Sequence, residues 1–389
     1  MCLLAVGISA CSSTDDEDEE LKVAELTEIK ALFKPVVKWD ASVGDGVGDY
    51  FSRLQPVAAY AKVFSVSRDG EAYAFDENTG KQIWHADLSD LDKKRGFFDD
   101  KESALISGGV VAGINKVFFG SENGDVIALD AESGKLSWQG KVKGEVIAAP
   151  ALDSGKLVVN TVSGVMKAFN ASNGQDDWQI EQEVPPLSLR GISAPVIAGG
   201  GVIIGSADGS LSVYLLEQGR QGWTVDIGEA AGSTELERVI DVDSTPLVYG
   251  DVVYTVSSRG NLSAVELRSG RVLWQRQYSS YREITISGNN LFLTDIKGHV
   301  YAIDRNNGLE LWSQLSFTNR GVTGPAAIAN YIVVGDFEGY LHWLDQATGE
   351  IVARHQVDSS GIYTTPVVAN GVLYSQSRDG DLEAITIPE

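Results

Sequence analysis

From about residue 56 to the C-terminus, apolar residues alternate with polar ones in runs of five or six, and each run is closed by glycine-containing turns. In Gly124–Asp130, for example, Val126 and Ala128 alternate with Ile127 and Leu129, so both faces of a strand are partly apolar. The pattern recurs with fixed internal spacing: a glycine, a second glycine ten residues later, and a tryptophan four after that. "GEAYAFDENTGKQIW" begins at Gly70, "GDVIALDAESGKLSW" at Gly124 and "GVMKAFNASNGQDDW" at Gly164. "GSLSVYLLEQGRQGW" begins at Gly209, "GNLSAVELRSGRVLW" at Gly260 and "GHVYAIDRNNGLELW" at Gly298. A seventh copy at Gly339 places Ala353 where tryptophan is expected, and an eighth at Gly380 stops before its second glycine.

Each copy predicts two strands joined by an Asp-x-x-x-Gly turn, with two further strands upstream. Proline opens the first upstream strand in six copies, at Pro56, Pro150, Pro195, Pro246, Pro325 and Pro366, where its missing N–H costs nothing. Alanine stands four after the first glycine at Ala74, Ala128, Ala168, Ala264, Ala302 and Ala384, which permits close packing of sheets. Four strands in every ~44 residues, eight times over, predict an all-β, eight-bladed β-propeller. The last blade lacks an outer strand, and residues 36–43 in "PVVKWDASVG" can supply it with Trp39 in the tryptophan place. The ring then closes by pairing the two ends of the chain, which removes exposed edges. The propeller is expected over residues 34–389.

Composition narrows the function. The formal net charge is −23, of which six charges come from the run Asp15–Glu20. Such a surface repels nucleic-acid phosphates and anionic lipid heads. Both cysteines, Cys2 and Cys11, lie in the first eleven residues, so the repeats carry no disulfide or thiol chemistry. The four histidines are scattered, without metal-ligand spacing. Asp130, Glu132 and Gly134 are spaced as in a turn and lack the ligand set of a calcium loop. No Ser/His/Asp set stands out, and no catalytic or metal residue is assigned.

The N-terminus, "MCLLAVGISACSS", has a short apolar core that ends in small residues before Cys11. It resembles a bacterial lipoprotein signal over residues 1–10, without the usual positive n-region. The resemblance implies acylation of Cys11, with Ser12 in the second mature position directing the protein to the outer membrane. Residues 11–33, acidic and then weakly helical, are expected to form a tether.

The repeat resembles that of quinoprotein dehydrogenases, which enclose pyrroloquinoline quinone with calcium. The repeat tryptophans are better explained as locks between blades, so no cofactor is assigned. The readable surface lies in two connections between blades, "VPPLSLRGISAP" (184–195) and "GEAAGSTELERVIDVDSTP" (228–246). They are expected side by side on one face, offering Leu187, Leu189 and Arg190 from the first and Asp241 and Asp243 from the second as a partner surface. With the signal, the eight repeats, "LSLRG" and "DVDSTP", the chain closely resembles the BamB family, lipoprotein subunits of the β-barrel assembly machinery in Gram-negative outer membranes. That resemblance implies a non-catalytic scaffold facing the periplasm. Its expected partner is the periplasmic POTRA region of BamA, bound through those five residues, and unfolded outer-membrane proteins are a further implied partner. A quinoprotein oxidoreductase and a periplasmic ligand-binding propeller are the alternative readings.

Overall fold

The computed structural model describes residues 22–50, 52–91, 102–185, 192–228 and 241–388. They form eight antiparallel sheets of four strands each. Blade 1 spans Val57–Asp87, blade 2 Ile106–Lys141, blade 3 Ala151–Glu181 and blade 4 Val196–Asp226. Blade 5 spans Leu247–Gln277, blade 6 Thr285–Gln314 and blade 7 Ala326–Gln356; blade 8 joins Val367–Thr386 to the N-terminal strand Val36–Ser42. Strands are lettered A to D in each blade from the axis outwards, and the A strands of neighbouring blades touch around the axis. Among the described residues the only helical element is a 3-10 turn at Leu88–Asp90.

The six prolines each stand one residue before an A strand, which opens at Val57, Ala151, Val196, Leu247, Ala326 or Val367. Strands B and C are almost wholly buried, as in Lys62–Val66 and Gly201–Gly205, whereas D strands such as Asp176–Glu181 alternate with solvent. The apolar clusters lie between blades rather than within them. Phe118, Ala128 and Trp138 of blade 2, for instance, pack on Leu157, Val159 and Phe169 of blade 3. Each blade therefore depends on its neighbours, and the ring depends on closing.

The tryptophans do the locking. Trp39, Trp84, Trp138, Trp178, Trp223, Trp274 and Trp312 each donate the indole N–H to a carbonyl in the C–D turn of the next blade, at 2.7–3.1 Å. Each ring also lies under that turn's glycine, from Gly80 through Gly349, whose φ is +64° to +74°. A Cβ at any of these glycines would meet the tryptophan ring at 2.5–2.8 Å, so the residue is required by both conformation and contact. The turn aspartates cap the same turns. Asp130 accepts from the Ser133 amide and hydroxyl, which hold its carboxyl below the usual range. Glu132 pairs with Lys62 of blade 1 at 2.6 Å, so these residues build a turn and a blade contact.

Closure follows the expected route. Val36–Ser42 pairs antiparallel with Asp381–Thr386, and Trp39 reaches Glu77 and Gly80 of blade 1. Blade 7 is the exception, and the structure explains it. In six of the other seven blades the strand D tryptophan faces an alanine of strand C, as Trp84 faces Ala74 and Trp39 faces Ala384, and in blade 4 Trp223 faces Val213. In blade 7 the pair is inverted, with Trp343 on strand C facing Ala353 on strand D. Blade 8 takes its strand D from Val36–Ser42, so among the described residues no C–D turn follows its C strand for a strand D tryptophan to lock under.

Residues 22–33 carry no helix, unlike the weak helix expected there, and bond to blade 7 and the turn before it. The Ala24 amide donates to the Thr318 carbonyl at 2.9 Å and the Leu32 amide to the Val352 carbonyl at 2.8 Å. Phe33 packs on Tyr331 and edge-on to Trp343, with ring centroids 5.0 and 6.4 Å apart. Arg320, 2% exposed, joins this strap to the blade: it donates to the Ala24 carbonyl at 2.9 Å and pairs with Asp336 at 2.7 Å and with Glu338. Burial raises the cost of ionising Asp336, but His342 and Arg320 overcome it and hold the carboxyl below its usual range. Cys11 and the rest of the expected signal and tether lie outside the described residues.

Candidate partner-binding face

Strand direction alternates within each blade, so D–A connections and B–C turns emerge on one face and A–B and C–D turns on the other. The two singled-out connections therefore share a face, and their roots touch. Ser193, at the end of the first, donates its hydroxyl to the Ser244 carbonyl, at the end of the second, at 3.1 Å. Leu187, Leu189 and Arg190 lie outside the described residues, as do residues 229–240 of the second connection.

Asp241 and Asp243, expected to take part in the partner surface, are described and are buried. Asp241 is 0% and Asp243 4% exposed, and Val242 and Ser244 between and after them are equally buried. The stretch is wedged between blades 4 and 5. The Val242 amide donates to the Ser206 carbonyl of blade 4 at 3.1 Å, and the Asp241 carbonyl accepts from the Ser258 amide of blade 5 at 2.9 Å. Alternation along the sequence places the two carboxyl groups alike, but it does not reveal that neighbouring blades enclose both. Burial pushes the Asp243 carboxyl up to about 7; the Arg53 charge opposes that shift and Asp241 adds to it.

Arg53 is the residue the sequence did not reveal. It belongs to the segment between the ring-closing strand and the blade 1 A strand, of which residues 43–50 and 52–55 are described. The Val43 and Val47 amides donate to carbonyls of Gly380 and Arg378 at 2.8 Å, tying the start of the segment to blade 8. From there Arg53 reaches blades 4 and 5, on the far side of the ring. Its Nη1 donates to the Ile192 carbonyl at 3.0 Å and to the Asp243 carbonyl at 2.7 Å. To join blades on opposite sides, the segment must cross the mouth of the central channel. Beside it a cavity of about 310 Å3 is lined by Tyr50, Leu54, Tyr281, Arg282, Tyr363 and Arg378. Nothing in the sequence between Gly44 and Pro56 marks such a crossing, because it is a property of where the ring brings the ends.

The residues present do not fit the quinone and calcium of the dehydrogenase propellers. Seven tryptophans are committed to locks between blades. Among the described residues no three His, Asp or Glu side chains converge to hold a metal ion.

Fold and faces define an eight-bladed propeller of quinoprotein-type repeats. The family model for the outer membrane protein assembly factor BamB matches residues 68–314 and 297–388. The BamB of Shewanella oneidensis is 44% identical over 391 residues, covering 99% of this chain and 98% of its own. The BamB of Escherichia coli K12 is 39% identical, covering 97% and 96%. The crystal structure of BamB from Moraxella catarrhalis superposes with a TM-score of 0.80 at 26% identity, covering 90% of this chain and 99% of that one. The quinohemoprotein alcohol dehydrogenase of Comamonas testosteroni reaches a TM-score of 0.70 at 12% identity, with coverage of 91% and 76%, a likeness of fold alone. The chain belongs to the BamB family of outer membrane protein assembly factors.

Proposed function

We propose that this protein is a non-catalytic scaffold of the outer-membrane β-barrel assembly machinery. It binds the periplasmic POTRA region of BamA through the face that carries the two connections. The relationship to assembly factors over nearly the whole chain is the observation that carries this reading. In it, Leu187, Leu189 and Arg190 make the contact, and the buried Asp241 and Asp243 support the loop beside them. Hot-spot truncations typically cost about 2 kcal/mol or more, roughly 30-fold in affinity. Arg190→Ala, or Leu187→Ala with Leu189→Ala, is expected to weaken capture of the BamA POTRA fragment by that order. Asn306→Ala, in a C–D turn on the opposite face, should leave it unchanged. Normal capture by the loop variants, with circular dichroism showing intact fold, would overturn the assigned surface.

The same reading places the protein at the outer membrane, facing the periplasm and anchored through acylated Cys11. Several acyl chains anchor far more firmly than one. Replacing Cys11 with alanine behind a full signal should release the propeller into the soluble periplasmic fraction. Retention at the outer membrane in cells depleted of BamA would count against the anchor.

A further inference from the structure

The Arg53 bonds to Ile192 and Asp243 lie outside the strand pair that closes the ring and the apolar clusters between blades. Closure is supplied by Val36–Ser42 and Trp39, and the blades by the clusters between them. What Arg53 does join is specific. Ile192 stands two residues after Arg190 in the first connection, just before the blade 4 A strand, and Asp243 stands in the second, just before the blade 5 A strand. One nitrogen spans both carbonyls, on a planar guanidinium whose donors are fixed relative to one another. The Ser193–Ser244 hydrogen bond beside it holds the same two roots together.

We infer that Arg53 is a positioning residue for the partner face: reaching from the segment that follows the ring-closing strand, it fixes the C-terminal roots of the two connections relative to one another by tying the Ile192 and Asp243 carbonyls together. The inference rests on the proposed binding surface. It adds that the surface is organised from the far side of the ring, so that loop geometry depends on the residue 43–55 segment as well as on blades 3 to 5. Fixing the C-terminal roots of the two connections relative to one another reduces the entropy that binding must otherwise remove.

Three variants of the full-length protein test it. Arg53→Met keeps the apolar stem and removes the donors, Arg53→Lys retains a charged donor, and Arg190→Ala reports on the contact surface. In the free protein, Arg53→Met should raise amide hydrogen exchange about tenfold in peptides covering 192–206 and 241–258. Peptides of blades 1, 7 and 8 should be unchanged, because opening would be local. Its affinity for the BamA POTRA fragment should fall about tenfold at an unchanged melting temperature. Arg53→Lys should recover part of both losses. The Asp243 carboxyl, followed by NMR, should titrate higher in Arg53→Met than in the parent and be restored by lysine.

Exchange at the parent level in Arg53→Met would overturn the clamp. Raised exchange with undiminished affinity, while Arg190→Ala binds weakly, would overturn its role in positioning and leave the binding surface standing. Normal binding by Arg190→Ala would instead overturn the surface, and exchange alone would then decide the clamp.

Discussion

Removing residues 36–42 should abolish cooperative folding of the propeller. The deletion strips six paired positions from blade 8, Val36 to Ser42 against Thr386 to Asp381, and exposes an unpaired strand edge. It also removes Trp39, the lock between blades 8 and 1, with its hydrogen bond to Glu77 and its platform under Gly80. Trp39→Ala alone should cost about 3–5 kcal/mol, the usual range for deleting a buried aromatic side chain. Losing the whole strand should exceed that and leave a chain that aggregates on heating. Deletion of residues 12–21 should leave the urea midpoint unchanged. Deletion of residues 22–33 should lower it by an intermediate amount, because it removes the Phe33 packing and the strap's bonds to Thr318 and Val352. A protein lacking 36–42 that unfolds at the parent midpoint would show that the ring does not need its N-terminal strand.

The blades were legible in the sequence because most of them repeat the same local rules. Proline precedes six of the A strands, a positive-φ glycine closes the C–D turn of blades 1 to 7, and tryptophan stands four residues on in the first six; each is a short-range constraint that survives at any place in the ring. Ring closure by Trp39 was legible for the same reason, since the eighth copy visibly lacks one strand. What lay hidden depends on which segments meet in space. "LKVAELTEIKALF" suggests a weak helix, yet residues 22–33 carry none, because blade 7 and the turn before it supply backbone partners and a buried arginine to hold them. Here tertiary contacts override local propensity. Asp241 and Asp243 look like exposed loop carboxylates, and only the neighbouring blades bury them. Arg53 carries no motif at all. Of the candidate surface, then, the sequence marked the loops but not the groups that hold their roots.

The inverted pair of blade 7 yields the second large effect. Trp343 is 1% exposed, faces Ala353, and packs edge-on to Phe33. Its indole nitrogen, buried, has no hydrogen-bond partner among the described residues. The locking tryptophans bond to the C–D turn of the next blade, and blade 8 has none to offer. Leaving a buried donor unpaired costs about 1–3 kcal/mol, which the packing of a full indole in the blade 7–8 core must offset. Trp343→Ala should therefore destabilise by about 3–5 kcal/mol through the cavity it opens. Ala353→Trp places a second indole against the first and should cost about 1–3 kcal/mol through overpacking. The double exchange, Trp343→Ala with Ala353→Trp, restores the alanine–tryptophan pairing of six other blades but not their lock, since among the described residues no turn glycine or carbonyl awaits the ring. Its destabilisation should be smaller than the sum of the single changes and still fall short of the parent, which a double-mutant cycle in urea reads directly. Additive losses would mean that the two positions do not share one space. Full recovery would mean that a tryptophan on strand D needs no turn beyond it, and the missing turn of blade 8 would no longer explain why this blade alone is inverted.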